Sequence, residues 1–209
     1  MEIVSLTVGV FASNCHLLSA RPGEVLVVDP GAEPERIAAE LDERGWRPVA
    51  YLLTHGHMDH VHGLAALARQ YPAPIGLHPR DATWAFTAAN SMPPYYDQPE
   101  APATLERSWA EGQRWSDGGL DYVVLETPGH SPGGVCFYFE AEQVLVAGDT
   151  LFQGSVGRTD LPGGDGRVLA ASLARLCGLP DATKVLCGHG PNTTIGREKK
   201  SNPYLRASG

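Results

Sequence analysis

An apolar run that ends in His55-Gly56-His57-Met58-Asp59-His60 commits this chain to a sheet whose edge carries metal-binding side chains. VAYLLT reads as a buried strand, because its apolar residues are nearly continuous rather than alternating. Side chains leaving the end of such a strand project from one sheet edge, where the loops of α/β sheets gather their sites. The chain has eight histidines in 209 residues, and three of them stand within these six positions. Imidazole and carboxylate are the ligands that zinc, iron and manganese take at neutral pH. His55 and His57, separated by a glycine, can turn to one ion. Asp59 and His60, opening the next helix, can face another.

The same syntax recurs downstream. LDYVVLETPGH, QVLVAGDT and KVLCGHG are each an apolar run closed by glycine and a candidate ligand: His130, Asp149 and His189. Four strands therefore end in polar residues of metal-binding type. EIVSLTV, NCHLLSA, EVLVVD and PIGLHP read as further strands. PERIAAELDERG has helical spacing and stops at Gly45, and VHGLAALARQY and VLAASLARLCGL are helical as well. Residues 80–115 are irregular and hold Trp84, Phe86, Tyr95, Tyr96 and Trp109 among several prolines. They read as a helix and loop packed on the domain, or as a wall beside the site.

Composition fixes the class of partner. With 43% hydrophobic and 19% charged residues, residues 1–209 are expected to form one domain with an ordinary core. A formal net charge of −8 repels phosphate backbones, so no nucleic-acid partner is expected. No apolar run approaches the ~20 residues that span a bilayer, and MEIVSLTVGV has no basic leader region. The expectation is a cytoplasmic protein without membrane contact. Cys15, Cys136, Cys177 and Cys187 have no paired spacing and read as free thiols.

At these residues the chain resembles a known family. THGHMDH matches the HxHxDH signature of the metallo-β-lactamase fold superfamily, and TPGHSPGG, AGDT and CGHG match its later motifs in order. The resemblance implies a four-layer αββα sandwich. It implies two divalent ions, zinc first, with iron or manganese as alternatives. His55, His57 and His130 would hold one, Asp59, His60 and His189 the other, and Asp149 would bridge them, with Asp59 and Asp149 serving catalysis. Asp29, in VVDPG, matches a position that orients a ligand histidine or a loop backbone. His16, His62 and His78 match no ligand position. No cysteine replaces a ligand, which sets the chain apart from the antibiotic-degrading branches that use one and counts against β-lactam hydrolysis.

GDTLFQGSVGRTDLPGGD resembles the glyoxalase II group and its short bacterial relatives, which hydrolyse S-2-hydroxyacylglutathione thioesters. A bound metal lowers the pKa of water from about 15.7 to about 7, giving a hydroxide nucleophile. A thiolate of pKa about 8.5 leaves without a strong acid, so a small-molecule thioester suits such a centre. Arg158 falls where these relatives place a basic residue that contacts the thiol conjugate. About twenty residues follow His189, so the helical C-terminal glutathione-binding domain of full-length glyoxalase II is not expected. The tail instead carries Arg197, Lys199, Lys200 and Arg206, of which Lys199 and Lys200 are candidate contacts for a substrate carboxylate. The oligomer is expected to be a monomer or a small homo-oligomer. Persulfide dioxygenases share the fold and the GRTD segment. Their single Fe(II) would sit on His130, Asp149 and either His55 or His57, which makes them the alternative.

Overall fold

A computed structural model describes residues 1–206. Two mixed six-stranded sheets form its centre. The first has the order β1 (Glu2–Val8), β2 (Ser13–Ser19), β3 (Glu24–Val28), β4 (Arg47–Leu52), β5 (Ile75–Leu77) and β6 (Arg107–Ser108). The second has the order β7 (Arg114–Asp117), β8 (Leu120–Glu126), β9 (Val135–Phe139), β10 (Val144–Gly148), β13 (Lys184–Cys187) and β14 (Thr193–Thr194), with β11 (Leu151–Phe152) and β12 (Ser155–Val156) as a separate hairpin. The helices are α1 (Pro34–Arg44), α2 (Met58–Val61), α3 (Leu64–Gln70), α4 (Pro79–Ala82), α5 (Gly166–Leu176), α6 (Ile195–Ser201) and α7 (Pro203–Arg206).

Strand alternation sorts the apolar residues into layers. Leu18, Leu26, Val28 and Leu52 face Tyr122, Val124, Phe137, Phe139 and Val146 between the two sheets. Their neighbours Leu17, Val25, Val27 and Leu53 turn the other way, beneath Ile37 and Leu41 of α1 and Leu64 and Leu67 of α3. Tyr138, Leu145 and Val185 turn outward beneath Leu169, Leu173 and Leu176 of α5. The result is the expected αββα sandwich, in which both sheets are apolar on both faces. Each fully buried side chain of this size contributes about 1.5–3 kcal/mol. That is why β4 and β10 read as continuous apolar runs rather than alternating ones.

Parallel pairing sets the direction of the strand ends. β3, β4 and β5 run parallel to one another, and β10 runs parallel to β13 through α5. The ends of β4, β10 and β13 therefore emerge together. Two elements differ from the sequence reading. The helix expected over 61–71 is interrupted at His62 and Gly63, separating α2 from α3. Val135–Phe139, which carries no polar alternation to mark it, is a fully buried strand. No helix among the described residues is long and apolar enough to cross a membrane.

Candidate metal centre

The ligand candidates arrive from four segments at one edge of the sandwich. β4 runs into His55 and His57, and α2 begins there with Asp59 and His60 in its only turn. The β8–β9 connection carries His130, the end of β10 is followed by Asp149, and the β13–β14 turn carries His189. All seven side chains converge. His57 Nδ1 lies 2.8 Å from His130 Nε2, and His60 Nε2 lies 3.3 Å from His189 Nε2. His189 Nε2 is 3.2 Å from Asp59 Oδ2 and 3.5 Å from Asp149 Oδ2. Asp149 also reaches His130 Nε2 at 3.5 Å and His60 Nε2 at 3.4 Å. It thus faces both sets of ligands. Ligand atoms of His55, His57 and His130 fall within one metal-sized cluster, and those of Asp59, His60 and His189 within another.

Hydrogen bonds on the far side of four of the rings fix which nitrogen looks inward. Thr54 Oγ1 donates to Asp29 Oδ2 at 2.6 Å, so it accepts from His55 Nδ1 at 3.0 Å and leaves His55 Nε2 as a lone pair. His60 Nδ1 donates to Asp29 Oδ2 (3.1 Å), His130 Nδ1 to the Arg158 carbonyl (2.8 Å) and His189 Nδ1 to the Phe11 carbonyl (3.0 Å). Partners of this kind orient metal-binding imidazoles and raise their basicity. Asp29 meets the sequence expectation on both counts, since it also accepts from the Thr54 backbone N–H at 2.8 Å.

Two observations test whether metal fits. His55 Nε2 and Asp149 Oδ1 are buried without a hydrogen-bond partner, an arrangement that costs about 1–3 kcal/mol per group unless something satisfies it. Gly188 is packed so closely that a Cβ there would stand 2.1 Å from Asp149 Oδ1, so the backbone is shaped around that carboxylate. The electrostatics agree. Burial, with repulsion from His130, holds His57 down to about 3, and burial holds His55 well below the usual imidazole range. His60 and His189 move the other way. Burial opposes their charge, but Asp59 and Asp149 lift His60 to about 9 and His189 to about 10. Burial would also raise Asp149, yet His60, His189 and His130 hold it well below the usual carboxylate range. Asp59 and Asp149 thus favour positive charge at this cluster. A divalent cation fits in place of protons on His60 and His189, releasing them.

The substrate-binding candidates lie outside the cluster. Arg158 is exposed and grips Asp160 through two bonds of 2.7 Å. Together with Thr159, Leu169, Leu173 and Tyr204 it lines a cavity of about 420 Å³. Lys199 is paired with Asp181 at 2.7 Å and donates to the Leu179 carbonyl, while Lys200 is exposed. The side chain of Arg206 lies outside the described residues. His16 and His78 are buried and hydrogen-bonded away from the cluster, to Ser5 and the Cys187 carbonyl and to Glu126 respectively. His62 caps α2 and stacks on Tyr96. Residues 80–96 supply a wall beside the site and two buried supports, Asp81 and Asn90, that the sequence did not single out. Trp84 packs 5.2 Å from His57, and Asp81 and Asn90 are buried against the ligand loops. No short motif marks them, because their partners are 25 to 52 residues away in the chain.

Comparison with known proteins agrees with this geometry. The model of the metallo-beta-lactamase superfamily matches residues 8–189. The chain is 35% identical to the hydroxyacylglutathione hydrolase GloC of Haemophilus influenzae, over 99% of each chain. Among solved structures it is similar to TTHA1623 in a di-iron-bound form (41% identity, 97% of this chain and 100% of that one, TM-score 0.86). It is also similar to the BLEG-1 B3 metallo-beta-lactamase (36% identity, 98% and 99% coverage, TM-score 0.92).

Proposed function

Because the chain belongs to the metallo-β-lactamase superfamily, we propose that it is a two-metal hydrolase of thioesters such as S-2-hydroxyacylglutathione. The observation that carries this reading is the placement of Asp149, whose carboxylate faces both His130 and the His60–His189 pair. Two cations a few ångströms apart repel, and an anionic group between them offsets that repulsion. Bound there, divalent ions would acidify a water and polarise the thioester carbonyl. The chain's own residues do the rest. Asp59 contributes a second carboxylate on the His60–His189 side. Asp29, Thr54 and the Phe11 and Arg158 carbonyls keep the imidazoles of His60, His55, His189 and His130 in the tautomer that offers a lone pair. Trp84 beside His57 and Phe152 beside His189 place apolar walls against water.

Arg158 is the cation that meets the charged arm of the substrate, across the cavity it lines, exchanging Asp160 for a substrate carboxylate. Lys199 and Lys200 of α6 are secondary contacts, Lys199 by the same kind of exchange with Asp181. Similarity to GloC over the full length supports glutathione as the thiol. The likeness to a B3 metallo-beta-lactamase favours a second reading, β-lactam hydrolysis.

Turnover of S-lactoylglutathione, followed by released thiol, tests the proposal. The wild type is expected to hydrolyse it, and Arg158→Ala to raise KM several-fold for charged thioesters but not for small neutral ones. Hydrolysis of a chromogenic cephalosporin without thioesterase activity would favour the second reading. Oxygen consumption on glutathione persulfide with one iron per chain would contradict both.

A further inference from the structure

We propose that Asp81 is a positioning residue that sets the His57–His130 pair of the metal centre, whereas Asp29 orients His60 and, through Thr54, His55. This rests on the metal-centre reading above. Asp81 is fully buried in α4, which follows the His78 cap. Its Oδ2 accepts from the Gly56 backbone N–H at 2.9 Å and from Ser131 Oγ at 2.7 Å. Its Oδ1 accepts from the Gly133 N–H at 2.6 Å. Gly56 lies between ligands His55 and His57, and Ser131 directly follows ligand His130. One carboxylate therefore ties a ligand loop of the first sheet to a ligand loop of the second, beside the closest pair of ligand nitrogens in the molecule.

Asn90 completes the clamp. Its Nδ2 donates to the Gly56 carbonyl at 2.7 Å, and its Oδ1 accepts from the Met58 N–H at 3.1 Å. Both backbone groups of Gly56 are thereby held by side chains from residues 81–90. The approach of α4 to the His130 loop depends on Gly133, where a Cβ would stand 2.8 Å from Asp81 Oδ1. Asp81 is not itself a ligand, since donors occupy both of its oxygens. Burying a carboxylate is costly unless several donors meet it, and here those donors belong to the ligand loops. Asp29 makes the matching contacts to Thr54 and His60 and has no hydrogen bond to the His130 loop. Of the two buried carboxylates, Asp81 is the one that reaches the His130 loop.

Zinc affinity measured by chelator competition on the full chain tests this without reference to activity. Two backgrounds isolate the positions: His189→Ala keeps the His55–His57–His130 set, and His57→Ala keeps the Asp59–His60–His189 set. Asp81→Asn replaces one acceptor oxygen with an amide that faces a donor. It is expected to weaken zinc by about 10–100-fold in the His189→Ala background, as removal of an outer partner of a metal ligand does, and by less than about threefold in the His57→Ala background. Should Asp81→Asn fail to fold, Ser131→Ala removes one of the three donors and is expected to give a smaller loss with the same asymmetry. Equal losses in both backgrounds, or none in either, overturn the proposal. Failure of His189→Ala protein to bind zinc at all overturns the metal-centre reading, and this inference with it.

Discussion

Thr54, Asp29, the Arg158 carbonyl and the Phe11 carbonyl each hold one nitrogen of a ligand histidine, and only one of these partners announces itself in the sequence. The seven candidate ligands stood out in the sequence because histidines cluster and because strands end on them, and their side chains converge. Asp29 was legible through its VVDPG turn. Asp81 was not, since an aspartate after proline at the start of a short helix reads as an ordinary first-turn acid, and its partners are distant in the chain. A carbonyl has no sequence signature at all. His16, which matches no ligand position, is buried with both nitrogens bonded. Burial lowers it to about 4 from an ordinary 6.5. A depressed folded-state value means that its contribution to stability is complete above pH 6.5 and is lost as pH falls through 4, by about 3 kcal/mol at most. Urea denaturation of metal-free protein across this window should show the wild type losing stability more steeply than His16→Gln. Parallel curves would remove His16 from the acid response.

At the scale of elements, the strand ends were readable and the helix boundaries less so. β4, β10 and β13 gave themselves away as apolar runs closed by glycine and a ligand. β9 lacked a polar terminus of that kind, and the break between α2 and α3 was hidden in a continuous helical pattern. α5 was called correctly, and its start is fixed by Asp165, whose Oδ1 accepts from the Arg167 and Val168 N–H groups at 2.8 and 3.1 Å. Its backbone N–H also donates to the Gly129 carbonyl, next to His130. Asp165→Ala removes the side-chain cap but keeps that backbone bond. Stability should fall by about 1 kcal/mol, a drop in Tm of about 2–4 °C for a chain of this size, with kcat unchanged. A loss of kcat instead would mean that the cap positions His130.

At the scale of the molecule, the centre lies on the seam between the two sheets. His55, His57, Asp59 and His60 follow the first sheet, and His130, Asp149 and His189 follow the second. Few hydrogen bonds join the sheets elsewhere, because the interface is apolar. At the seam, Asn14 Nδ2 donates to the Cys187 and Gly190 carbonyls, and the Val135 N–H donates to the Thr54 carbonyl. The αββα layering was legible only through the resemblance. Composition and periodicity supported a mixed α/β chain, and nothing local in the sequence says that two sheets stack so that their ligand-bearing edges coincide. On the proposed reading, the stacked edges build one centre for two ions. Elemental analysis of protein purified without added metal, read beside S-lactoylglutathione turnover on the same sample, tests this most directly. About two divalent ions per chain are expected in the active protein, with activity that falls as they are removed. One ion per chain at full hydrolytic activity would contradict that reading.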